Sequence, residues 1–225
     1  MNRSREQHLG LAGVLFDMDG LLVDSEPQWG AAESRTVEQL GGTWGKPQQE
    51  DLLGSNLKVA ANYMIRHTGS RLSTEAVMQM LLDNATEEFT RGISFRPGAL
   101  ALVDALVEAG IPLALVTSSV RVHVEVVLEH LKPDPFRLHV TADDVTRLKP
   151  HPEPYLVALD GLNLAAPSVV VLEDSPTGVA AAEAAGCHVV AVPSVLAIDK
   201  APGRTVIESL TAVDVPWLEG LVTRS

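Results

Sequence analysis

A single cysteine, Cys187, occurs among 225 residues. One thiol can build neither an internal disulfide nor a cysteine zinc cluster, so both scaffolds are excluded and a reducing cytoplasm is the expected compartment. Basic residues are also scarce. Seventeen Lys and Arg stand against 29 Asp and Glu, giving a net charge of −12 and a pI near 4.9. Such a surface repels phosphate backbones and anionic lipid, so no nucleic-acid or membrane partner is expected. No segment approaches the roughly 18 uninterrupted apolar residues of a membrane helix. The opening MNRSREQHLG holds a basic pair, but Asp17 and Asp19 break the apolar stretch after it. No export signal is expected, and these residues read as a loose tail. Repeats and low-complexity tracts are missing. Five histidines, at 8, 123, 130, 139 and 188, show no metal-ligand spacing and receive no role.

What remains is ordinary globular composition, 46% apolar and 20% charged. The length suits one domain, or one domain with an inserted module, and is enough to bury a core without disulfides. Three compact apolar runs, Ala12–Phe16, Pro112–Val116 and Ser168–Leu172, predict strands covered on both faces. His188–Val192 predicts a fourth, and Leu138–Val140 a weaker one. Helical spacing links them. Leu100, Val103, Leu106 and Val107 share a face that Gly110 ends, and Val120, Val124, Val127, Leu128 and Leu131 repeat the spacing up to Pro133. Ser175 and Pro176 open an Ala-rich helix that Gly186 closes. Strand–helix–strand alternation predicts an α/β fold with a Rossmann-like parallel sheet. From Ser25 to Phe95 no strand is visible. Ser73–Arg91 is the clearest helix there, with Val77, Met80, Leu81 and Leu82 as core candidates. Seventy residues of helix are too many for a crossover. They predict an inserted α-helical cap domain over 25–95, with Gly92–Gly98 as its return linker, on a core of 1–24 and 96–225.

The chemistry-bearing residues follow the strands: Asp17 and Asp19, then Thr117-Ser118-Ser119, then Lys149, then Glu173 and Asp174. Each alone has a plain structural reading. A DxD is a common solvated turn, hydroxyls cap helices, a lysine is a surface charge, and acids complement a helix N-terminus. A calcium loop is disfavoured because Leu21 and Gln28 occupy its ligand positions. Four strand ends with compatible chemistry change the balance. An Asp can be a phosphoryl nucleophile and a second acid two residues on can be the general acid and base. Acids from another strand suit Mg²⁺, while Lys149, Thr117 and Ser118 suit phosphate oxygens.

FDMDGLLVDSE, LVTSS, LKPHPEPY and VVLEDSPTGVAAAEAAG resemble, in order, the four motifs of the haloacid dehalogenase-like superfamily. The closest look is to its sugar-phosphate phosphatase and β-phosphoglucomutase branch, which carries a helical cap. The resemblance implies Asp17 as nucleophile and Mg²⁺ ligand. It implies Asp19 as acid/base and, through its carbonyl, a second ligand. Asp174 is implied as a direct ligand and Glu173 as a ligand directly or through water. Thr117, Ser118 and Lys149 would bind the transferring phosphate, with Lys149 also orienting Asp17. Asp19 argues against dehalogenase and phosphonatase chemistry. Trp29, where the mutases carry His, and Leu53-Gly54-Ser55-Asn56-Leu57, which lacks their cap arginine, favour hydrolysis. DSEPQW looks like hexitol- or 2-deoxyhexose-phosphate phosphatases.

The expected activity is therefore Mg²⁺-dependent hydrolysis of a small phosphorylated metabolite, a sugar or polyol phosphate, through an aspartyl-phosphate. A phosphomutase is the alternative, ahead of a phospho-accepting signalling or binding protein. The chain is expected to act as a monomer, with a dimer as the alternative. Glu26, Trp29, Lys58, Arg66 and His67 are cap residues within conceivable reach of a leaving group, each set against a plain solvated or packing role. His151 reads as helix-start packing and Cys187 as an inert core thiol.

Overall fold

The computed structural model describes residues 10–223. The predicted tail therefore lies, except for Gly10, outside the described residues. A six-stranded parallel sheet forms the centre. Its strands are β1 (Gly13–Phe16), β4 (Leu113–Val116), β5 (Leu138–Val140), β6 (Val169–Glu173), β7 (His188–Ala191) and β8 (Arg204–Val206), in the order β5-β4-β1-β6-β7-β8. All five predicted strands are present within a residue or so at each end. β8 is an addition: three half-buried residues at the sheet edge carry no compact apolar run.

Side chains alternate across the pleat. Val14 and Phe16 face one buried cluster, and Leu15 faces the other. The first cluster is closed by α5 (Ala99–Glu108), α6 (Arg121–Glu129) and α9 (Val215–Val222), and the second by α7 (Glu153–Leu162) and α8 (Pro176–Ala184). On α5 the buried face is Ala99, Leu102, Val103 and Leu106. Leu100 and Val107, expected on that face, are exposed, because the i, i+3, i+4, i+7 stripe starts one residue earlier.

The region from 25 to 95 is helical as expected: α1 (Glu26–Gln39), α2 (Lys46–Leu52), α3 (Leu57–Thr68) and α4 (Thr74–Arg91). Helix α4 packs on α1 and α3. It buries Val77 and Leu81 but also Asn84, Ala85 and Phe89, while Met80 and Leu82 are half-buried. Asn84 is satisfied by donating to Thr36 Oγ1 at 2.9 Å and Gln39 Oε1 at 3.0 Å. The stretch does contain a strand. Val23–Asp24 (β2) and Ser94–Phe95 (β3) pair antiparallel where the chain leaves and re-enters the sheet region. A two-residue strand is too short to show as periodicity. Among the described residues no helix is long and apolar enough to cross a membrane.

Candidate active site

Strand register assembles the site. Phe16 pairs with Leu115 on one side and Leu172 on the other, so the next residues, Asp17, Val116 and Glu173, come level at the carboxyl end of the sheet. β1 lies between strands reached by opposite excursions of the chain, the place where open α/β sheets bind ligands. The Asp17 N–H donates to Leu172 O at 3.0 Å and the Thr117 N–H to Val140 O at 2.9 Å, which fixes both residues as strand extensions.

Lys149 reaches in from the loop before α7, and its side chain is only 4% exposed. Its ammonium donates to Asp17 Oδ1 at 2.6 Å, to Glu173 Oε1 at 2.6 Å and to Val116 O at 2.8 Å. Those three acceptors use all three N–H groups. Glu173 is fully buried. Its Oε1 also accepts from the Tyr155 hydroxyl at 2.5 Å. Its Oε2 accepts from the Asp174 N–H at 3.1 Å and from the Ser175 hydroxyl at 3.2 Å. Asp174 Oδ2 accepts from the Ser194 hydroxyl.

Asp19 stands apart from this cluster. Its Oδ2 accepts from Ser119 Oγ at 2.6 Å and Thr117 Oγ1 at 3.3 Å, and its Oδ1 from the Trp29 indole at 3.4 Å. The chain turns sharply between the two acids and the rest of the loop. Gly20 has φ +82°, and a Cβ there would lie 2.1 Å from Asp174 Oδ2. Only glycine supplies both the left-handed backbone and the space.

The profile of the haloacid dehalogenase-like hydrolases matches residues 14–192. The chain belongs to that family. Hexitol phosphatase A of Escherichia coli is 38% identical over 80% of this chain and 82% of its own length. The phosphorylated carbohydrates phosphatase of Thermotoga maritima is 32% identical over 78% and 82%. The structure of CbbY from Rhodobacter sphaeroides in complex with phosphate superposes with a TM-score of 0.78 at 27% identity, covering 89% of this chain and 95% of that one.

Electrostatics in this family member divide the acids. Burial raises the Asp17 carboxyl well above the usual carboxylate range, Glu173 and Asp174 push the same way, and Lys149 opposes them. Burial and Glu173 raise Asp174 to about 7. Burial alone would lower the Lys149 ammonium, but Asp17 and Glu173 together hold it above its usual range. Asp17, Glu173 and Asp174 offer carboxylate oxygens within 4.8 Å of one another. An all-oxygen set with more negative charge than one lysine offsets fits a hard divalent cation. Since Glu173 is already saturated by protein donors, Asp17 and Asp174 are the acids with oxygens to spare.

Every residue of the predicted site, Asp17, Asp19, Thr117, Ser118, Lys149, Glu173 and Asp174, thus lies around the carboxyl end of the sheet. Thr117 is buried and Ser118 is exposed beside it. Among the five cap candidates only Trp29 hydrogen-bonds a site residue; Glu26, Lys58, Arg66 and His67 are exposed. His151 accepts from the Glu153 N–H at 3.1 Å, the expected helix-start role. Sequence reasoning named Ser119 with its neighbours but gave it no role, and passed over Tyr155, Ser194 and Gly178. Tyr155 sits inside the LKPHPEPY stretch and Gly178 in the first turn of an otherwise Ala-rich helix, both visible signals. Ser194 carries only its place just beyond a strand end.

Proposed function

We propose that the protein is a Mg²⁺-dependent phosphatase that cleaves a small sugar or polyol phosphate through an aspartyl-phosphate. The chain is a phosphoric monoester hydrolase of the haloacid dehalogenase-like family. The observation that carries the finer reading is the division of labour between Asp17 and Asp19. Asp17 has one oxygen locked by Lys149 and, among the described residues, Oδ2 free of protein donors, whereas Asp19 hangs in a separate hydroxyl and indole cradle.

In the first half-reaction an Asp17 oxygen bonds phosphorus and the bond to the leaving oxygen breaks. Asp19 delivers its proton to that oxygen. In the second, Asp19 takes a proton from water, whose oxygen bonds phosphorus as the acyl-phosphate bond to Asp17 breaks and its carboxylate is released. Lys149 keeps Asp17 oriented and opposes the burial that raises its carboxyl, and the Thr117 and Ser118 groups receive phosphate oxygens. Asp17, Asp174 and the Asp19 carbonyl would hold Mg²⁺, with Glu173 orienting the set. The ion supplies charge neutralisation for the phosphoryl group. Residues 25–95 act as the cap domain over a core of 1–24 and 96–225, excluding bulk water during transfer.

The phosphatase names of the two relatives support hydrolysis over phosphate return to a sugar. A cytoplasmic compartment and a small metabolite as the one partner complete the reading. Asp17→Asn is expected to abolish release of p-nitrophenol from its phosphate ester in MgCl₂, and excess EDTA to abolish it in the wild type. Wild-type turnover in either case overturns the nucleophile or the metal assignment. Screening phosphorylated sugars, polyols, phosphoglycolate and nucleotides by kcat/KM assigns the substrate.

A further inference from the structure

His123 received no role from the sequence, yet it is fully buried where α6 meets α4. Its Nε2 lies 3.1 Å from Thr86 Oγ1 and 3.5 Å from Leu82 O. The Thr86 hydroxyl already donates to Leu82 O at 2.8 Å. Thr86 Oγ1 is therefore an acceptor, and His123 must carry its proton on Nε2 and donate. Nδ1 is then a bare nitrogen, buried with no partner among the described residues. An apolar ring at this position would avoid that loss; what the imidazole adds over such a ring is the bond it makes to α4. Burial also lowers its pKa, which keeps it neutral.

The ring has a second set of contacts. It stacks on Phe89 of α4 at 5.0 Å and 7°. It meets the Trp29 indole edge-on at 5.5 Å and 75°, and Trp29 meets Phe89 at 6.0 Å and 79°. Trp29 Nε1 is the donor to Asp19 Oδ1. One unbroken line of contacts runs from α4, through His123 of the sheet-side helix, to the indole and the acid.

We propose that His123 is a positioning residue for Asp19: clamped to α4 through Thr86, it fixes the Trp29 indole that holds the Asp19 carboxylate. This rests on Asp19 being the general acid and base. It means that the pose of the acid depends on α4 being docked against α6, so the 25–95 segment governs proton delivery as well as access.

A misplaced general acid slows cleavage of a poor leaving group far more than of a good one, because p-nitrophenolate leaves with little proton help. A general loss of folded enzyme slows both equally. The test is kcat/KM for glycerol phosphate and for p-nitrophenyl phosphate in MgCl₂. His123→Phe, which keeps the ring stack and loses the N–H, is expected to fall about tenfold on the first and about threefold or less on the second. Thr86→Val, which removes the same bond from the other side, should show the same selective loss if His123→Phe folds poorly. His123→Gln, which restores a donor, should recover part of it. Trp29→Phe should reproduce the loss, and the Trp29→Phe/His123→Phe double variant should be no worse than Trp29→Phe alone. Equal losses on both substrates, or losses that add in the double variant, overturn the positioning role. Asp19→Asn separates the two levels. If it cleaves glycerol phosphate at the wild-type rate, the acid/base reading itself fails. If it is inactive while the cycle is additive, only the role of His123 fails.

Discussion

Gly178 and Glu173 occupy one space: a Cβ at residue 178 would stand 1.9 Å from the Glu173 carboxyl carbon. The first turn of α8 can lie over the acid only because this residue has no side chain. Glu173 cannot step aside, since Lys149, Tyr155, Ser175 and the Asp174 N–H hold both of its oxygens.

Gly178→Ala is therefore expected to destabilise the protein. Helix propensity favours Ala by up to about 1 kcal/mol, but overpacking a rigid buried site costs about 1–3 kcal/mol. Net loss of about 1–2 kcal/mol should appear in urea unfolding, together with a large fall in turnover. A variant as stable and active as the wild type would mean that Glu173 is not fixed as described.

Tyr155→Phe removes one donor from a buried carboxylate and leaves the ring, over which Lys149 Nζ sits 4.9 Å from the centroid. A hydrogen bond to a charged group is worth about 1.5–3 kcal/mol, and that loss is expected in the unfolding free energy. Lys149→Met should be worse, about 3–5 kcal/mol, because it leaves Asp17 and Glu173 buried without their cation. Reversal of that order would contradict the three-way sharing of the ammonium.

Metal-free stability should depend on pH with a definite sign. Asp174 is raised from an ordinary carboxyl value to about 7, and Asp17 is raised too. Between about pH 4 and pH 7 the folded state therefore binds more protons than the unfolded chain, and stability falls as pH rises through that window. Mg²⁺ binds the ionised acids, so its stabilising effect should grow over the same range. Thermal melts in EDTA and in MgCl₂ at pH 5 and pH 7.5 test this. An apo protein that gains stability across the window refutes it.

Cys187 is buried, and burial pushes its thiol up to about 12. The thiolate is the reactive form. Ellman's reagent should label no thiol in the native protein at neutral pH and one in urea. Prompt native labelling would place Cys187 at the surface.

Much of this was legible in one dimension. The runs at 12–16, 112–116 and 169–172 are apolar throughout because each strand is covered on both faces, so burial writes itself into the composition. Asp17, Asp19, Thr117, Glu173 and Asp174 stand out because they interrupt or follow apolar segments at their carboxyl ends, and Lys149 through the LKPHPEPY stretch before a helix. The helical stretch from 25 to 95 shows through its length. The faces within helices were less legible: Leu100 and Val107 are as apolar as Leu102 and Leu106, and only packing selects between them.

The sequence by itself determined the α/β class, the helical insertion, the acids and hydroxyls at the strand ends and the lysine before a helix. These depend on local pattern and on chemistry that each residue carries alone. Tertiary structure decided which of them touch. Lys149 meets Asp17 across 132 residues of chain, Ser119 meets Asp19 across 100, and His123 reaches Thr86 across 37. Such contacts depend on strand register and helix docking, which balance long-range burial against chain entropy, and no local window of sequence records them. That is why the two acids could be named from their spacing, while the environments that divide their labour became visible only in the fold.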